Sequence, residues 1–238
     1  MKIACWSGPR NISTALMRSW SSRSDTEVFD EPFYSYYLKK TKLNHPQSNE
    51  IIKKYPHSYN KIVEKLLSNI PNNKAIWYQK QMAHHLLEDD DILFIKNFQN
   101  CFLIRHPKKV ISSYTKKNTL RHSRELGYIQ QCRIISFLKK INKKIIVIDS
   151  QDLLENPEKI LKKWCSELNI RFSNKMLSWN KGIYKSDGIW AKHWYNSVIS
   201  TNTFDKRISR DLSIEKKYLK IFDENMVYYE KMKKMAIK

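Results

Sequence analysis

The sequence predicts an α/β fold in which helices flank a mainly parallel central sheet. Strand-like runs alternate with helical ones along the chain, and several of the strand-like runs are apolar without alternation. Continuous apolar runs are expected of strands covered on both faces, as in parallel sheets. The length of 238 residues and the 41% hydrophobic content suit a single domain over residues 1–238.

The strand-like runs are short, and most are bounded by polar or proline-containing turns. They span residues 3–7, 27–29, 75–79, 101–105 and 144–149. Helical segments follow most of them, with Pro107 and Pro157 in the first turn, where proline is tolerated. The predicted helices span residues 13–22, 81–87, 107–116, 124–140 and 157–168.

Two segments depart from this alternation. Residues 38–73 are polar, partly helical and rich in His, Pro and Asn, which predicts an insertion or a lid. Residues 212–236 predict a long amphipathic C-terminal helix that is rich in Lys and Glu. The chain has only 4 glycines, so we expect no extended Gly-rich linker to divide it.

The chain is strongly basic, with 44 Lys+Arg against 23 Asp+Glu and a formal charge of +21. Such an excess indicates nucleic acid, an anionic membrane surface or small polyanionic ligands, unless the lysines merely lie on solvated faces. The lysines are scattered, and no basic stripe with interleaved aromatic residues occurs. We therefore expect neither nucleic acid nor a membrane as a partner.

The sequence favours a cytoplasmic location. No apolar run reaches the roughly 18 residues of a transmembrane helix. The N-terminal run breaks at Ser7-Gly8-Pro9, which is typical of a buried strand rather than a signal peptide. The 4 cysteines lie far apart without a Cys-x-x-Cys motif, so buried free thiols in a reducing compartment are the simplest interpretation.

The loop after the first strand is a candidate anion site. It has the sequence WSGPRNISTA over residues 6–15 and leads into a helix, whose start presents unpaired N–H groups and the positive end of the dipole. Arg10, Ser13 and Thr14 add a guanidinium and two hydroxyls. The alternative is a plain turn in which Asn11 or Ser13 caps the helix.

An NTP-dependent kinase is one alternative enzyme for this loop, although the loop lacks the lysine and the second glycine of a Walker motif. Magnesium would then need Asp149, at the end of the last apolar run. Asp149 is equally well placed to close a strand before a turn. A catalytically degenerate protein that binds nucleotides or anions is a further alternative.

A second candidate anion site lies at the junction after the fourth strand-like run. Arg105 ends that run, and Ser113 lies about two turns into the following helix, so both can face the same sheet edge. An Arg–Ser pair at that edge suits a phosphate, although a surface arginine and an ordinary helical serine give the same pattern. Two anion sites on neighbouring strand ends fit a ligand that is phosphorylated at both ends.

These residues resemble those of the P-loop sulfotransferase superfamily, whose members use 3′-phosphoadenylyl sulfate (PAPS). The resemblance covers most of the chain and is closest to a bacterial and plant branch. The motifs of that branch occur here in order: SGPRNIST (7–14), DEPFY (30–34), YQK with HH (78–85), LIR with P (103–107) and DG-WA-HWY (187–195). The resemblance implies a P-loop NTPase-like three-layer fold, PAPS as co-substrate, no metal, and a small-molecule acceptor.

The same resemblance assigns residues to the donor. Arg105 and Ser113 match the 3′-phosphate pair, and the acidic stretch 149–157 matches a family segment, which argues against Asp149 as a magnesium ligand. Lys181 and Gly182 resemble a late phosphate contact, and Trp190 belongs to a segment near the nucleotide. The 5′-phosphosulfate loop corresponds to Gly8, Pro9, Arg10, Asn11, Ile12, Ser13 and Thr14, with Arg10 where many members have Lys and Ile12 where they have Gly.

The catalytic candidates follow the third and second strand-like runs. The superfamily places a Lys and then a His after the third strand, which implies Lys80 beside the leaving group and His84 or His85 as the base. Glu31 is the rival base, or a group that binds a cationic acceptor. The alternatives are a polar helix face or a core hydrogen bond for the histidines and a simple acidic loop for Glu31.

The acceptor cannot be identified from the sequence, because acceptor specificity lies in lids and insertions. One group of aromatic residues follows Glu31 and either walls an acceptor pocket or belongs to the core. These residues are Phe33, Tyr34, Tyr36 and Tyr37.

Overall fold

The computed structural model describes residues 1–204 and 213–238. Within them, the chain forms a five-stranded sheet in which all pairings are parallel, which confirms the predicted α/β class. The strands are β1 (Lys2–Ser7), β2 (Thr26–Asp30), β3 (Ile76–Met82), β4 (Gln99–Ile104) and β5 (Ile145–Asp149).

The spatial order of the strands is β2-β3-β1-β4-β5, so β1 lies at the centre. Parallel neighbours need crossover connections, which the helices provide. The helices between strands are α1 (Ser13–Ser21), α2 (Tyr34–Thr41), α3 (Ser48–Lys54), α4 (Tyr59–Leu67), α5 (Pro107–Tyr114) and α6 (Tyr128–Lys140). The helices after β5 are α7 (Ser150–Glu155), α8 (Pro157–Glu167), α9 (Ala191–Trp194), α10 (Asn196–Ile199) and α11 (Leu219–Lys233).

The sheet is covered on both faces, which gives three layers. Alternate residues of β1 point to opposite faces: Ile3 packs in one hydrophobic cluster with Leu16 of α1, and Ala4 packs in another with Val110 of α5. The apolar strands that the sequence shows are therefore buried on both sides. As a consequence, the helices after β1 and β4 lie on opposite faces of the sheet.

The helix predicted over residues 81–87 is wrong. Strand β3 continues through Gln81 and Met82, which pair with Trp6 and Ser7 of β1, and only a short 3₁₀ turn follows at Ala83–His85. Both residues are buried in the sheet. Ladder hydrogen bonds to the central strand therefore override the helical pattern.

The predicted insertion at 38–73 contains the end of α2, all of α3 and α4, and part of the crossover from β2 to β3. It is tied to the core by Ile51, Ile62 and Leu66, which are buried. At the C-terminus, α11 confirms a helix within the predicted 212–236, while Leu212 lies outside the described residues. No helix in the described ranges is both long and apolar enough to span a bilayer.

Candidate active site

A cavity of about 510 Å³ opens at the carboxyl ends of the strands. Ligands of open α/β sheets bind at this edge, where crossovers to opposite faces leave a crevice, here between β1 and β4. A residue at or just after the end of each strand lines the cavity. In chain order these are Arg10, Glu31, Lys80, Arg105 and Gln151.

The loop between β1 and α1 contributes backbone and side-chain donors to this cavity. Arg10 and Ile12 both have left-handed backbones, with φ of 61° and 60°. This conformation is strained for β-branched Ile12 and free of strain for glycine, which accounts for the glycine that the superfamily has at this position. The N-cap of α1 is Ile12 and makes no side-chain cap hydrogen bond, so the alternative of an Asn11 or Ser13 cap is wrong. The helix start faces a cavity lined by Ser13 and Thr14.

Gly8 shapes the loop without lining the cavity. A Cβ at this position would lie 2.0 Å from the carbonyl oxygen of Leu126. Only glycine allows the loop to pack this closely against the turn before α6. Asn11 attaches the loop to β4, since its buried side chain donates to the Leu103 carbonyl at 3.2 Å.

The two predicted anion sites form one cationic cluster, which consists of Arg10, Arg105 and Ser113. The Nε of Arg10 donates to Ser113 Oγ at 2.9 Å, and Nη1 of Arg105 donates to the Arg10 carbonyl at 2.7 Å. The Tyr128 hydroxyl in turn donates to the Arg105 carbonyl at 2.5 Å. Burial lowers the pKa of Arg10, because a guanidinium is harder to keep charged away from water. Arg10 thus reaches the residue expected to bind the 3′-phosphate, besides lying in the 5′-phosphosulfate loop.

A second cluster of charges lies at the ends of β2 and β3. The ammonium of Lys80 is 3.0 Å from Asp30 Oδ1 and 2.6 Å from Glu31 Oε1, and it donates to the Tyr195 hydroxyl at 2.5 Å. The side chains of Lys80 and Asp30 are each 1% exposed, whereas that of Glu31 is 11% exposed and lines the cavity. We call Asp30, Glu31, Lys80 and Tyr195 the carboxylate–ammonium network.

Burial and mutual charge shift the titration of this network. Burial favours the neutral form of Lys80, but the carboxylates of Asp30 and Glu31 outweigh it and raise the pKa of the ammonium. Burial, followed by the repulsion of Asp30, raises the pKa of Glu31 against the opposing effect of Lys80. The pKa of Tyr195 lies well above its ordinary value for the same reasons, burial first and then the two carboxylates. Tyr195 therefore acts as a neutral donor.

The two histidines have different environments although both line the cavity. The ring of His85 is buried between Tyr34, at 4.9 Å, and Tyr37, at 4.8 Å, and both are stacked on it. His84 is only half-buried and meets Tyr37 edge-on. Burial lowers the pKa of His84 to about 3 and that of His85 well below its usual value, so both imidazoles are neutral. Among the described residues, neither Nδ1 has a hydrogen-bond partner.

Aromatic residues wall the cavity near these histidines. The Tyr34 hydroxyl is 2.8 Å from His45 Nδ1 and accepts the Trp194 indole N–H at 3.3 Å. All three side chains line the cavity. Of the four aromatic residues predicted as an acceptor wall, Tyr34 lines it, while Phe33, Tyr36 and Tyr37 are buried in the core and do not.

Besides Gly8, three residues that the resemblance assigns to the donor do not line the cavity. Gly182 is turned toward α1 and α10, since its carbonyl accepts from Arg18 and its N–H donates to Ile199. Lys181 precedes it on the surface. Trp190 is a core residue, 2% exposed, whose indole N–H donates to the Tyr195 hydroxyl at 3.0 Å. Residues 187–195, which we call the late segment, reach the cavity through Trp194 and Tyr195 instead.

Asp149 is a helix cap rather than a cavity residue. Its Oδ1 accepts the Gln151 N–H at 2.7 Å at the start of α7, and its Oδ2 accepts from the Tyr229 hydroxyl at 2.8 Å and lies 3.2 Å from Lys233 Nζ. It is absent from the cavity lining among the described residues. The strand-closing interpretation of Asp149 therefore matches the structure.

Sequence reasoning missed Asp30, Tyr195, His45 and Trp194 as members of the site. Asp30 and the pair Trp194–Tyr195 lie within the motifs DEPFY and DG-WA-HWY, which were the available signals. Their contacts with Lys80 and Tyr34 join residues far apart in the chain, so spacing alone does not reveal them. His45 has no such signal in the sequence.

Comparisons with known proteins agree with this architecture. A family model described as sulfotransferase domain matches residues 1–236. Two proteins of Arabidopsis thaliana, named branched-chain-amino-acid aminotransferase-like proteins 1 and 2, are 33% and 31% identical to the chain over 202 residues. The alignments cover 85% of this chain and 36% of each plant protein, so the chain spans about a third of the length of these relatives.

Solved structures share the fold at low sequence identity. The sulfotransferase domain of the Synechococcus PCC 7002 olefin synthase has a TM-score of 0.54 at 14% identity and covers 94% of either chain. The sulfotransferase domain from the curacin biosynthetic pathway has a TM-score of 0.51 at 17% identity, covering 93% of this chain and 96% of that one. A sulfotransferase from Alicyclobacillus acidocaldarius has a TM-score of 0.54 at 10% identity, with coverage of 98% and 96%. The fold is that of these P-loop-like domains.

Proposed function

The chain belongs to the sulfotransferase domain family, and on that premise we propose that it is a PAPS-dependent sulfotransferase. It moves a sulfuryl group from PAPS to a hydroxyl or an amine of a small-molecule acceptor. One observation carries the proposal. A single cavity joins the cationic cluster, which suits a doubly phosphorylated donor, to the carboxylate–ammonium network, which suits proton and charge transfer.

The cationic cluster binds the two anionic ends of the donor in this proposal. The N-terminus of α1, with Ser13 and Thr14, takes the 5′-phosphosulfate, and Arg105 with Ser113 takes the 3′-phosphate. Arg10 bonds to Ser113 while belonging to the α1 loop, so it links the two subsites. Among the described residues that line the cavity, Glu31 is the only acidic one, and it lies at the end opposite the cationic cluster, beside Lys80.

The transfer itself is an in-line substitution at sulfur. The acceptor oxygen or nitrogen bonds to sulfur as the bond from sulfur to the bridging oxygen breaks, and that oxygen leaves with the phosphate. The acceptor's proton passes to a base on the protein. Lys80 stabilises the charge that develops on the bridging oxygen, because its raised pKa keeps it an ammonium.

Glu31 is the base in this proposal. It lines the cavity beside Lys80, and burial raises its pKa, which makes the carboxylate a stronger base than usual. The pKa of His84, lowered to about 3, makes that imidazole a weak base, and His85 is enclosed between two tyrosine rings. The histidines then wall the acceptor pocket together with Tyr34.

A cytoplasmic location belongs to the same proposal. Cys5, Cys101 and Cys165 are buried and free, as expected of a protein in a reducing compartment. PAPS and its product, adenosine 3′,5′-bisphosphate, serve as co-substrate and co-product.

Calorimetry with adenosine 3′,5′-bisphosphate and transfer assays with sulfur-labelled PAPS test the proposal. The acceptor panel contains phenols, aliphatic alcohols, sugars and amines. We expect binding of the bisphosphate and labelling of at least one acceptor class, with kcat reduced about 10²–10⁴-fold in Glu31→Gln, the range for loss of a general base. The matched control is Glu158→Gln, a change in an exposed carboxylate that pairs with Lys162.

Two results would overturn the proposal. The donor assignment fails if the bisphosphate does not bind, and the base assignment fails if Glu31→Gln transfers sulfuryl groups as fast as the control variant does. Retained bisphosphate affinity in Glu31→Gln is required in either case, because Glu31 lies outside the cationic cluster.

A further inference from the structure

Tyr195 is the residue that closes the carboxylate–ammonium network. Its hydroxyl lies 2.8 and 2.7 Å from the two carboxylate oxygens of Asp30 and 3.2 Å from Glu31 Oε1, and it accepts from Lys80. The ring also lies under the Lys80 ammonium, 4.5 Å from its centroid. The tyrosine is 4% exposed, and the cavity reaches it. One side chain from the late segment therefore contacts every charged member of the network.

The late segment is anchored so that Tyr195 has little freedom. Asp187 forms a buried ion pair with Arg18 of α1 at 2.5 Å. The next residue, Gly188, donates its N–H to Asp30 Oδ2 at 3.2 Å, and a Cβ there would lie 2.2 Å from the Trp190 ring. Trp190 then donates to the Tyr195 hydroxyl. The segment from Asp187 to Tyr195 thus lies against the ends of β2 and β3 through a continuous set of contacts.

Asp30 and Glu31 have different roles as a result. Asp30 interacts with Lys80, the Tyr195 hydroxyl and the Gly188 N–H, and its side chain is sealed from the cavity. Glu31 interacts with the same ammonium and hydroxyl but remains open to the cavity. The two carboxylates share the single hydroxyl hydrogen of Tyr195, which lies closer to Asp30, and they share the Lys80 ammonium, which lies closer to Glu31. Of the two, Glu31 is the carboxylate that an acceptor can reach.

We propose that Tyr195 is a positioning residue for sulfuryl transfer: it fixes the Lys80 ammonium between Asp30 and Glu31 and so holds the Glu31 carboxylate in place at the cavity. The inference rests on the proposed function, because it concerns the same base and the same ammonium. Tyr195 acts through Lys80 and Glu31 and does not itself exchange a proton. Without its hydroxyl, Lys80 and both carboxylates lose their shared partner, and the positions of the ammonium and of Glu31 are no longer fixed.

The hydroxyl also affects the titration of Glu31. The charged and titratable groups that face Glu31 are Asp30 on β2, Lys80 on β3, Tyr195 after α9 and Tyr34 on α2. The hydrogen bond from Tyr195 lowers the pKa of Glu31, so its removal raises that pKa. A base with a higher pKa becomes protonated at a higher pH, and the acid limb of the rate profile then moves toward neutral pH.

Tyr195→Phe tests the inference, because it deletes the hydroxyl and retains the ring. We expect kcat to fall about 10- to 100-fold, which is the rate equivalent of one hydrogen bond to a charged group. We also expect KM for PAPS and the affinity for adenosine 3′,5′-bisphosphate to change less than about 3-fold, since Tyr195 lies outside the cationic cluster. The acid limb of kcat/KM moves to higher pH.

The matched control is Tyr229→Phe, which deletes another tyrosine hydroxyl bonded to an aspartate, here Asp149, away from the cavity. Its kcat and acid limb are expected to equal those of the wild type. A merely structural role for Tyr195 predicts that both variants lose stability and keep their pH profiles, and that result overturns the inference. An unchanged kcat in Tyr195→Phe overturns it as well.

A readout without turnover separates this inference from the proposed function. In a spectrum of ¹⁵N-lysine-labelled protein, the Lys80 Nζ signal is identified by its loss in Lys80→Met. We expect that signal to shift and its protons to exchange faster with water in Tyr195→Phe but not in Tyr229→Phe. If wild-type protein transfers no sulfuryl group while this shift occurs, the proposed function fails and the positioning of Lys80 stands. If transfer occurs and the signal is unmoved, the positioning role fails alone.

Discussion

The two ends of the cavity differ in how their charged side chains are paired. At the cationic cluster, Arg10 bonds to the hydroxyl of Ser113, a neutral partner, and Arg105 donates to the Arg10 carbonyl. At the carboxylate–ammonium network, Lys80 already has two carboxylates within 3.0 Å. The positive charge of Arg10 is therefore available to an incoming anion, whereas Lys80 already faces two carboxylates before any ligand arrives.

This difference predicts that substitutions at the two ends change different properties of the protein. A charge that is bonded to a neutral group, as Arg10 is to Ser113, attracts an anionic ligand and costs little to rearrange. Charges that are buried and paired are stable only as a set, because the loss of one member leaves the others without compensation. Substitutions at the two ends should consequently affect different quantities: ligand affinity at the cationic cluster, and stability with catalysis at the network.

The largest expected effect is at the network. Lys80→Met leaves Asp30 and Glu31 as buried carboxylates without a counter-ion, so we expect the free energy of unfolding to fall by about 3–5 kcal/mol, together with loss of transfer. Urea denaturation followed by tryptophan fluorescence measures the change. Lys144→Met is the control, because Lys144 pairs with Glu167 while 49% exposed, and exposed pairs contribute little. Similar losses of unfolding free energy in Lys80→Met and Lys144→Met would contradict the difference between the two ends of the cavity.

An intermediate effect is expected at the cationic cluster. Arg10→Ala and Arg105→Ala should each weaken binding of adenosine 3′,5′-bisphosphate about 10- to 100-fold, since each removes charge-assisted hydrogen bonds. Added salt should weaken binding more in the wild type than in either variant, because it screens the missing charge. Calorimetry at two salt concentrations measures both effects.

Arg124→Ala serves as the control for these variants. Arg124 is 51% exposed, pairs with Glu88 and does not line the cavity. The substitution therefore removes one positive charge from the protein without changing the cavity. The cationic cluster loses its assigned role if Arg124→Ala weakens binding as much as Arg105→Ala does.

The smallest expected effect concerns His84, between the two ends. Its folded-state pKa of about 3 lies below the ordinary 6.5, so the unfolded chain binds more protons between these values. Stability from this group is present above about pH 6.5 and is lost as the pH falls toward 3. The wild type should therefore lose unfolding free energy between about pH 7 and pH 5, and His84→Asn should lose less of it, by on the order of 1 kcal/mol.

Urea denaturation at the two pH values measures that slope. His57→Asn is the control for removal of an exposed imidazole. If the unfolding free energy of the wild type and of His84→Asn changed equally with pH, His84 would be protonated equally easily in the folded and unfolded states. The conclusion that His84 is a neutral residue of the cavity wall would then be wrong.

The cationic cluster was largely predictable because its chemistry is local. Arg10 to Thr14 and Arg105 with Ser113 each lie within one strand–loop–helix unit, and the carboxyl ends of parallel strands meet at one edge. The sequence did not predict that Arg10 would bond to Ser113, because that contact joins two units. Nor did it predict that Lys181 and Gly182 would lie off the cavity, where Gly182 bonds to Arg18.

The network was only partly predictable. Lys80 and Glu31 were candidates by motif, while Tyr195 is 115 residues from Lys80 and 165 from Asp30. No local pattern encodes such contacts. The local pattern was misleading at residues 81–87, where pairing with β1 extends β3 and places the histidines in a 3₁₀ turn.

By itself, the sequence determined the α/β class, the order of most elements and the candidate residues for anion binding and proton transfer. Those properties follow from apolar periodicity and from side-chain type, which each segment carries alone. The tertiary structure determined which of these residues meet. It placed Lys80 against Asp30, Glu31 and Tyr195, opened Glu31 to the cavity and enclosed His85, because burial and charge pairing depend on distant segments packing together.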